Sequence, residues 1–147
     1  MTALNPVLEQ LEQGVECARQ GCLEDAVARF RQAIELDPEC AEAHSNLGNA
    51  LREQGRLEEA FLHLNRALEC RPDLPEARLN LAVVLEERGE LEEAAELLEE
   101  FLRVCPTHPV ALNNLGSVLK KLGRLQEARR RLEDALAHEP RFAQAHN

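Results

Sequence analysis

One interval constrains this chain more than any other property, a step of 34 residues. Gly21, Gly55, Gly89 and Gly123 recur at that step, as do Ala26, Ala60, Ala94 and Ala128, and again Pro38, Pro72, Pro106 and Pro140. Leu23, Leu57, Leu91 and Leu125 keep it too, and Phe30 is continued by Leu64, Leu98 and Leu132. Columns of one residue type in register over several copies mark a stacked repeat array. The copies are residues 7–40, 41–74, 75–108 and 109–142, a single array through 1–147 in which 143–147 start a fifth copy or a truncated end.

Each column has a physical job. In the second copy His44, Leu47, Gly48 and Leu51 fall on one face of a helix, at the spacing that buries an apolar stripe. Gly55 follows where that helix must stop, because glycine takes a left-handed conformation without a Cβ penalty. A second helix then carries Ala60, Leu64 and Ala67, and the small residues Gly48 and Ala60 allow the two helices to approach closely. Pro72 ends it, since proline lacks the amide a helix interior needs. The unit is a helical hairpin, so the expectation is all-α, with eight helices and no strand.

The pattern His44-x2-Leu47-Gly48-x2-Leu51, then Ala60-x3-Leu64, Ala67 and Pro72, resembles the tetratricopeptide repeat. The resemblance implies a right-handed α-solenoid of stacked helical hairpins with a concave binding groove. The chain departs from the family in having no Trp and no Tyr: His44, Arg78 and Leu112 hold the usual Trp position, and Leu residues the usual Tyr position. Within the family, Ala43-His44-Ser45-Asn46-Leu47 and Cys105-Pro106-Thr107-His108 are similar to the arrays of the O-linked N-acetylglucosamine transferases. So is Leu112-Asn113-Asn114-Leu115. Their transferase domain is absent here, so no glycosyl transfer is carried over.

The amino terminus, MTALNPVLEQ, has neither a basic leader nor a long apolar run, so no signal peptide and no membrane span is expected. Asn5 followed by Pro6 reads as a helix cap and first turn, which starts the first helix at about Pro6. The first copy diverges: Gln10 and Gln13 replace apolar residues, and Leu8, Leu11 and Val15 supply a shifted stripe. A more polar terminal copy suits an end cap. At the other end Ala128, Leu132 and Ala135 are expected to present an apolar face that Ala143 to Asn147 is too short to cover, which invites self-association.

The acidic excess is 5, 2 and 6 in the first three copies, and the fourth is basic by 3, for a net charge of −10. That balance, with 3% aromatic residues, excludes a nucleic-acid binder, which needs a broad basic stripe and stacking rings. Glu92-Glu93 and Glu99-Glu100 read as solvated helix faces. The basic cluster Lys120, Lys121, Arg124 and Arg129 to Arg131 reads the same way, or as an attractor of an acidic segment.

Five cysteines, an odd number without a signal peptide, imply reduced thiols and a cytoplasmic setting, with Cys17 a small buried hydrophobe. No zinc spacing, phosphate-cradling glycine loop, H-E-x-x-H run or nucleophile elbow is present, so no cofactor, metal or catalytic activity is expected.

What remains is the helix face that packing does not use. Positions two, six, nine and thirteen of each copy share that face, which in the resembled fold lines the groove. Position six reads Asn46, Asn80 and Asn114, with Glu12 in the first copy. Asparagine costs a helix interior roughly half a kcal/mol against alanine, so three in register suggest a use. Their amides match a peptide backbone, donor to acceptor, and would hold an extended chain without reading its side chains. The candidate groove residues are these three with Asn49, Ser117, Glu42, Glu76 and Lys121. The alternative is that duplication copied a harmless residue.

A clamp for chaperone carboxylate tails needs Lys and Asn on one helix, Asn on the next, and Lys and Arg on the third. Started at the first copy it finds Leu11 and Val15; started at the second it finds Ser45, Asn49 and Asn80, then Val110 and Asn114, so it is disfavoured. The chain therefore reads as a scaffold for a protein or peptide ligand in a concave groove. Alternatives are a self-assembly module stacking through its carboxyl-terminal end and the substrate-recruiting part of a larger glycosyltransferase.

Overall fold

The structure, a computed structural model, describes residues 5–138, with side chains to residue 133. Eight helices make up the described residues: α1 (Pro6–Arg19), α2 (Leu23–Leu36), α3 (Ala41–Glu53), α4 (Leu57–Cys70), α5 (Pro75–Glu87), α6 (Leu91–Val104), α7 (Pro109–Lys121) and α8 (Leu125–His138). No strand occurs among them. The fold is all-α, built of helical hairpins. It divides into two compact units, Met1–Asn80 and Leu81–Asn147.

Glycine closes every odd-numbered helix in the same way. Gly21, Gly55, Gly89 and Gly123 all have φ between +77° and +85°. At Gly55 the amide donates to the Arg52 carbonyl at 2.8 Å and the Arg56 amide to the Leu51 carbonyl at 2.9 Å. Those paired bonds satisfy carbonyls that the helix end would leave exposed, and the left-handed residue between them turns the chain back. The return from an even helix uses proline instead. Pro38, Pro72 and Pro106 each take the second place of a turn, closed by Cys40 on Asp37, Leu74 on Arg71 and His108 on Cys105 at 3.1 to 3.3 Å. At the start of α1 the Asn5 side chain accepts from the Val7 amide at 3.0 Å, the expected cap.

In the first unit α1 packs on α2, α2 on α3 and α3 on α4. The close approach expected at Gly48 is present: a Cβ there would come within 2.6 Å of Leu64 Cγ and 3.3 Å of the Ala60 carbonyl oxygen. Gly14, 34 residues earlier, meets Phe30 in the same way, at 2.5 Å. Phe30, Leu47, Leu51 and Leu64 are fully buried, each contributing about 1.5–3 kcal/mol of hydrophobic stabilisation. Two expectations for the first copy are corrected. Leu8 lines an open cleft and stays 47% exposed, and Cys17 is half-buried, because it lies beyond Leu11 and Gly14, the buried residues of α1.

Two of the three residues that replace the family's tryptophan, His44 and Arg78, find polar partners. His44 is buried, and its Nε2 lies 2.9 Å from the Pro38 carbonyl oxygen. Arg78, one step later, donates from Nε to the Pro72 carbonyl at 3.0 Å. Both bond the proline turn that precedes their own helix.

In the second unit α6 packs on α7 and α7 on α8, around Leu98, Leu115, Val118 and Leu119. Gly116 differs from Gly48, since a Cβ there would meet nothing within 4 Å. Of the apolar face expected on α8, Ala128 is buried at 9% exposure and Leu132 is half-buried. Leu125, not among the residues expected there, is 60% exposed, while the Ala135 side chain and residues 143–147 lie outside the described set.

Candidate functional site

The polar faces of α1, α3 and the start of α5 bring most of the predicted residues of the first unit together. One cleft, of about 410 Å³, runs between α1 and α3 and is lined by Leu8, Glu12, Val15, Glu42 and Asn46 among others. A second, of about 420 Å³, continues from α3 to the α4–α5 turn, lined by Glu42, Ser45, Asn46, Arg71, Leu74, Pro75 and Glu76. Glu42 and Asn46 are walls of both. They point the same way because positions two and six of a helix are one turn apart.

Hydrogen bonding separates the predicted residues into two groups. Asn49 is occupied at both ends of its amide: Oδ1 accepts from Arg52, at 3.0 Å from one guanidinium nitrogen, and Nδ2 donates to Glu53 at 3.3 Å. Ser117 donates to Glu86 at 2.7 Å, and Lys121 Nζ lies 2.8 Å from the same carboxylate oxygen. Glu86 is thus an internal ligand in the second unit, its side chain only 11% exposed. By contrast, the Asn114 Nδ2 is buried without a partner, and Asn46 and Asn80, both half-buried, form no side-chain hydrogen bond among the described residues. Glu42 and Glu76 are exposed; Arg71 approaches Glu42 at 3.7 Å, a loose ion pair.

Sequence reasoning missed Ser45 and Arg71 as cleft residues and Glu86 as the partner of Ser117 and Lys121. Ser45 shares a helix turn with Glu42 and Asn46, a spacing that could have flagged it. Nothing in the sequence marks Glu86 among nine glutamates of the third copy.

Outside this face, His44 and His63 meet with Nδ1 atoms 3.2 Å apart. Since His44 Nε2 faces a carbonyl it must donate there, which leaves its Nδ1 as acceptor and His63 Nδ1–H as donor. The pKa of His63 is lowered, first by burial, then by His44 and Arg31, with Glu59 opposing. The Cys70 thiol is pushed up, mainly by burial. Among the described residues no group of three or more His, Cys, Asp or Glu could hold a metal ion, and no helix is long and apolar enough to cross a membrane.

Helical hairpins repeated at 34 residues, closed by glycine and separated by proline turns, define a repeat protein with open polar helix faces. Two tetratricopeptide repeat profiles match, one over residues 11–75 and the other over 73–138, together most of the chain, and the chain belongs to that family. Proteins of the family act as protein- and peptide-binding scaffolds. Among solved structures, the crystal structure of MamA is 26% identical over 94% of this chain and 81% of its own, with a TM-score of 0.83. PilF of Pseudomonas aeruginosa is 23% identical, covering 92% of this chain and 62% of its own, at 0.82. The first repeat domain of Spaghetti (RPAP3), solved with the HSP90 peptide SRMEEVD, is 21% identical, covering 80% and 94%, at 0.77. No curated sequence matches the chain.

Proposed function

We propose that this chain is a scaffold for an extended protein or peptide segment, held through its backbone by the amides of Asn46, Asn80 and Asn114. The carrying observation is the contrast just described. The three asparagines in register keep donors and acceptors without intramolecular partners, whereas Asn49, Ser117 and Lys121 on the same faces are committed to internal bonds. A partly buried amide left unpaired costs stability unless something else completes it. A peptide backbone offers the matching donor and acceptor.

An acidic tail such as the SRMEEVD segment of the Spaghetti complex is not the ligand this reading favours. Ser45, Val110 and Asn114 stand where a carboxylate clamp needs cations, and Glu42 and Glu76 flank the open cleft. The narrower resemblance to O-linked N-acetylglucosamine transferase arrays, whose groove carries such an asparagine ladder, agrees with the asparagine grip and would make the ligand a protein substrate. A second reading is self-association through the α7–α8 face, favoured by the cleft of about 570 Å³ that Leu112, Leu125 and Leu132 line. A monomer by light scattering at high concentration would remove it.

The test is the triple variant Asn46→Ala, Asn80→Ala, Asn114→Ala, titrated against a captured partner beside wild type. Folding should be intact by circular dichroism, since alanine is the better helix former. Three hydrogen bonds at roughly 0.5–1.5 kcal/mol each should weaken affinity by about one to three powers of ten, similarly for ligands of different sequence. Unchanged affinity for a partner shown to lie along these faces would make the asparagines inherited copies and nothing more.

A further inference from the structure

Ser45 is the least expected member of the cleft between α3 and the α4–α5 turn. It is 2% exposed, yet its hydroxyl has no hydrogen-bond partner. A buried hydroxyl without a partner costs roughly 1–3 kcal/mol, so a helix residue of this kind, lining an open cleft, is an unmet hydrogen-bonding group. Around it the cleft carries Glu42 and Glu76, one cation, Arg71, and the apolar surface of Leu74 and Pro75. The carboxylates outnumber the cation. Arg71 is also poorly engaged: it lies 3.7 Å from Glu42, and both side chains are about half exposed.

We infer that this cleft receives a lysine or arginine side chain of the bound segment, its cationic head between Glu42 and Glu76 and one N–H donated to Ser45 Oγ. This deepens the scaffold reading and rests on it, since Asn46 in the same cleft would hold the backbone of the residue whose side chain enters. The chemistry of the walls, two carboxylates to one cation, favours a basic side chain over an acidic or an apolar one. An acidic side chain would meet two carboxylates. An apolar one would leave Ser45 unpaired and desolvate both glutamates without compensation. The stem of a lysine or arginine has methylenes to lay against Leu74 and Pro75 while its head stays with the charges. Arg71 then acts as an internal stand-in for the ligand's cation, weakly held and displaceable.

The experiment uses the whole chain and three extended nonapeptides of glycine, serine and alanine that differ only at the centre, with arginine, glutamine or glutamate. Binding is read by nuclear magnetic resonance shift titration at low salt. The arginine peptide should bind about tenfold tighter than the glutamine peptide, as one charge-assisted hydrogen-bonded contact implies, and the glutamate peptide weakest. Ser45→Ala and Glu76→Gln should each erase most of that preference, weakening the arginine peptide far more than the glutamine peptide. Asn46→Ala should weaken all three peptides alike. Arg71→Ala should tighten the arginine peptide by about three- to tenfold, by removing the competing cation. Equal binding of all three peptides, still weakened by Asn46→Ala, would overturn the basic-side-chain pocket and leave the backbone grip standing. Preference for the glutamate peptide would overturn the pocket as well, and no shift with any peptide would overturn both.

Discussion

His44 stands where arrays of this family usually place tryptophan, and its neighbours show how a polar ring is accommodated there. Its two nitrogens are both used, one on the Pro38 carbonyl and one on His63, so burial leaves no orphaned group. His63 is the titratable end of this chain of bonds. Its lowered pKa, caused first by burial and then by His44 and Arg31, means the unfolded state binds a proton more readily than the folded state. Stability from this group is therefore present above the unfolded value of about 6.5 and declines as pH falls from there toward the lowered native value. The melting temperature of wild type should drop as pH falls below about 6.5. His63→Gln keeps a donor for His44 but cannot be protonated, and it should flatten that part of the profile. An equally steep profile in the variant would assign the loss to other groups. Glu59 acts in a separate window: its carboxyl is held low chiefly by the hydrogen bond from Arg56, so its share is present above 4.5 and lost below.

A hairpin of this array is closed by how nearly its two helices can approach, and in the first two copies one glycine column sets that distance. Gly48 admits Leu64 against the backbone of α3, and Leu64 is fully buried. Gly48→Ala should therefore cost about 1–3 kcal/mol in chemical denaturation, against the small gain alanine brings as a helix former. The third copy carries Ala82 natively at this register and buries it at 1% exposure, so Ala82→Gly should show no relief of strain and lose roughly 1 kcal/mol. If both substitutions stabilise or both are neutral, the column does not set the approach. These helix ends and buried faces were legible in the sequence because glycine, proline and apolar spacing act locally. Gly55 and Pro72 mark turns whatever their neighbours do. The polar pairings were not legible, because the partners of Ser117, Asn49 and His44 depend on rotamers and on the angle between helices. Asn46 and Asn49 look alike as letters, but only Asn49 has Arg52 and Glu53 folded back onto it.

Charge is distributed along the whole chain so that an acidic copy precedes a basic one, and in the second unit the two meet. Lys121 pairs with Glu86 at 2.8 Å, Arg131 with Glu99 at 3.5 Å, and Arg124 lies 3.7 Å from Glu92 and 2.6 Å from Glu127. Those cations already have carboxylate partners, which leaves fewer of them for an acidic segment or a phosphate backbone. The arginine pairs are open to solvent on at least one side, so each contributes only about 0–1 kcal/mol. Reversing Arg124→Glu and Arg131→Glu together replaces attraction by repulsion at both, and should lower stability by about 1–2 kcal/mol at low salt. Raising salt to about 1 M shrinks the Debye length to about 3 Å and should close most of that gap between variant and wild type. Wild type alone is a poor indicator, because screening also relieves the self-repulsion of a chain with net charge −10. The difference between the two proteins cancels much of that background. A gap that persists undiminished in high salt would show that the arginines stabilise the second unit through the packing of their aliphatic stems and not through charge.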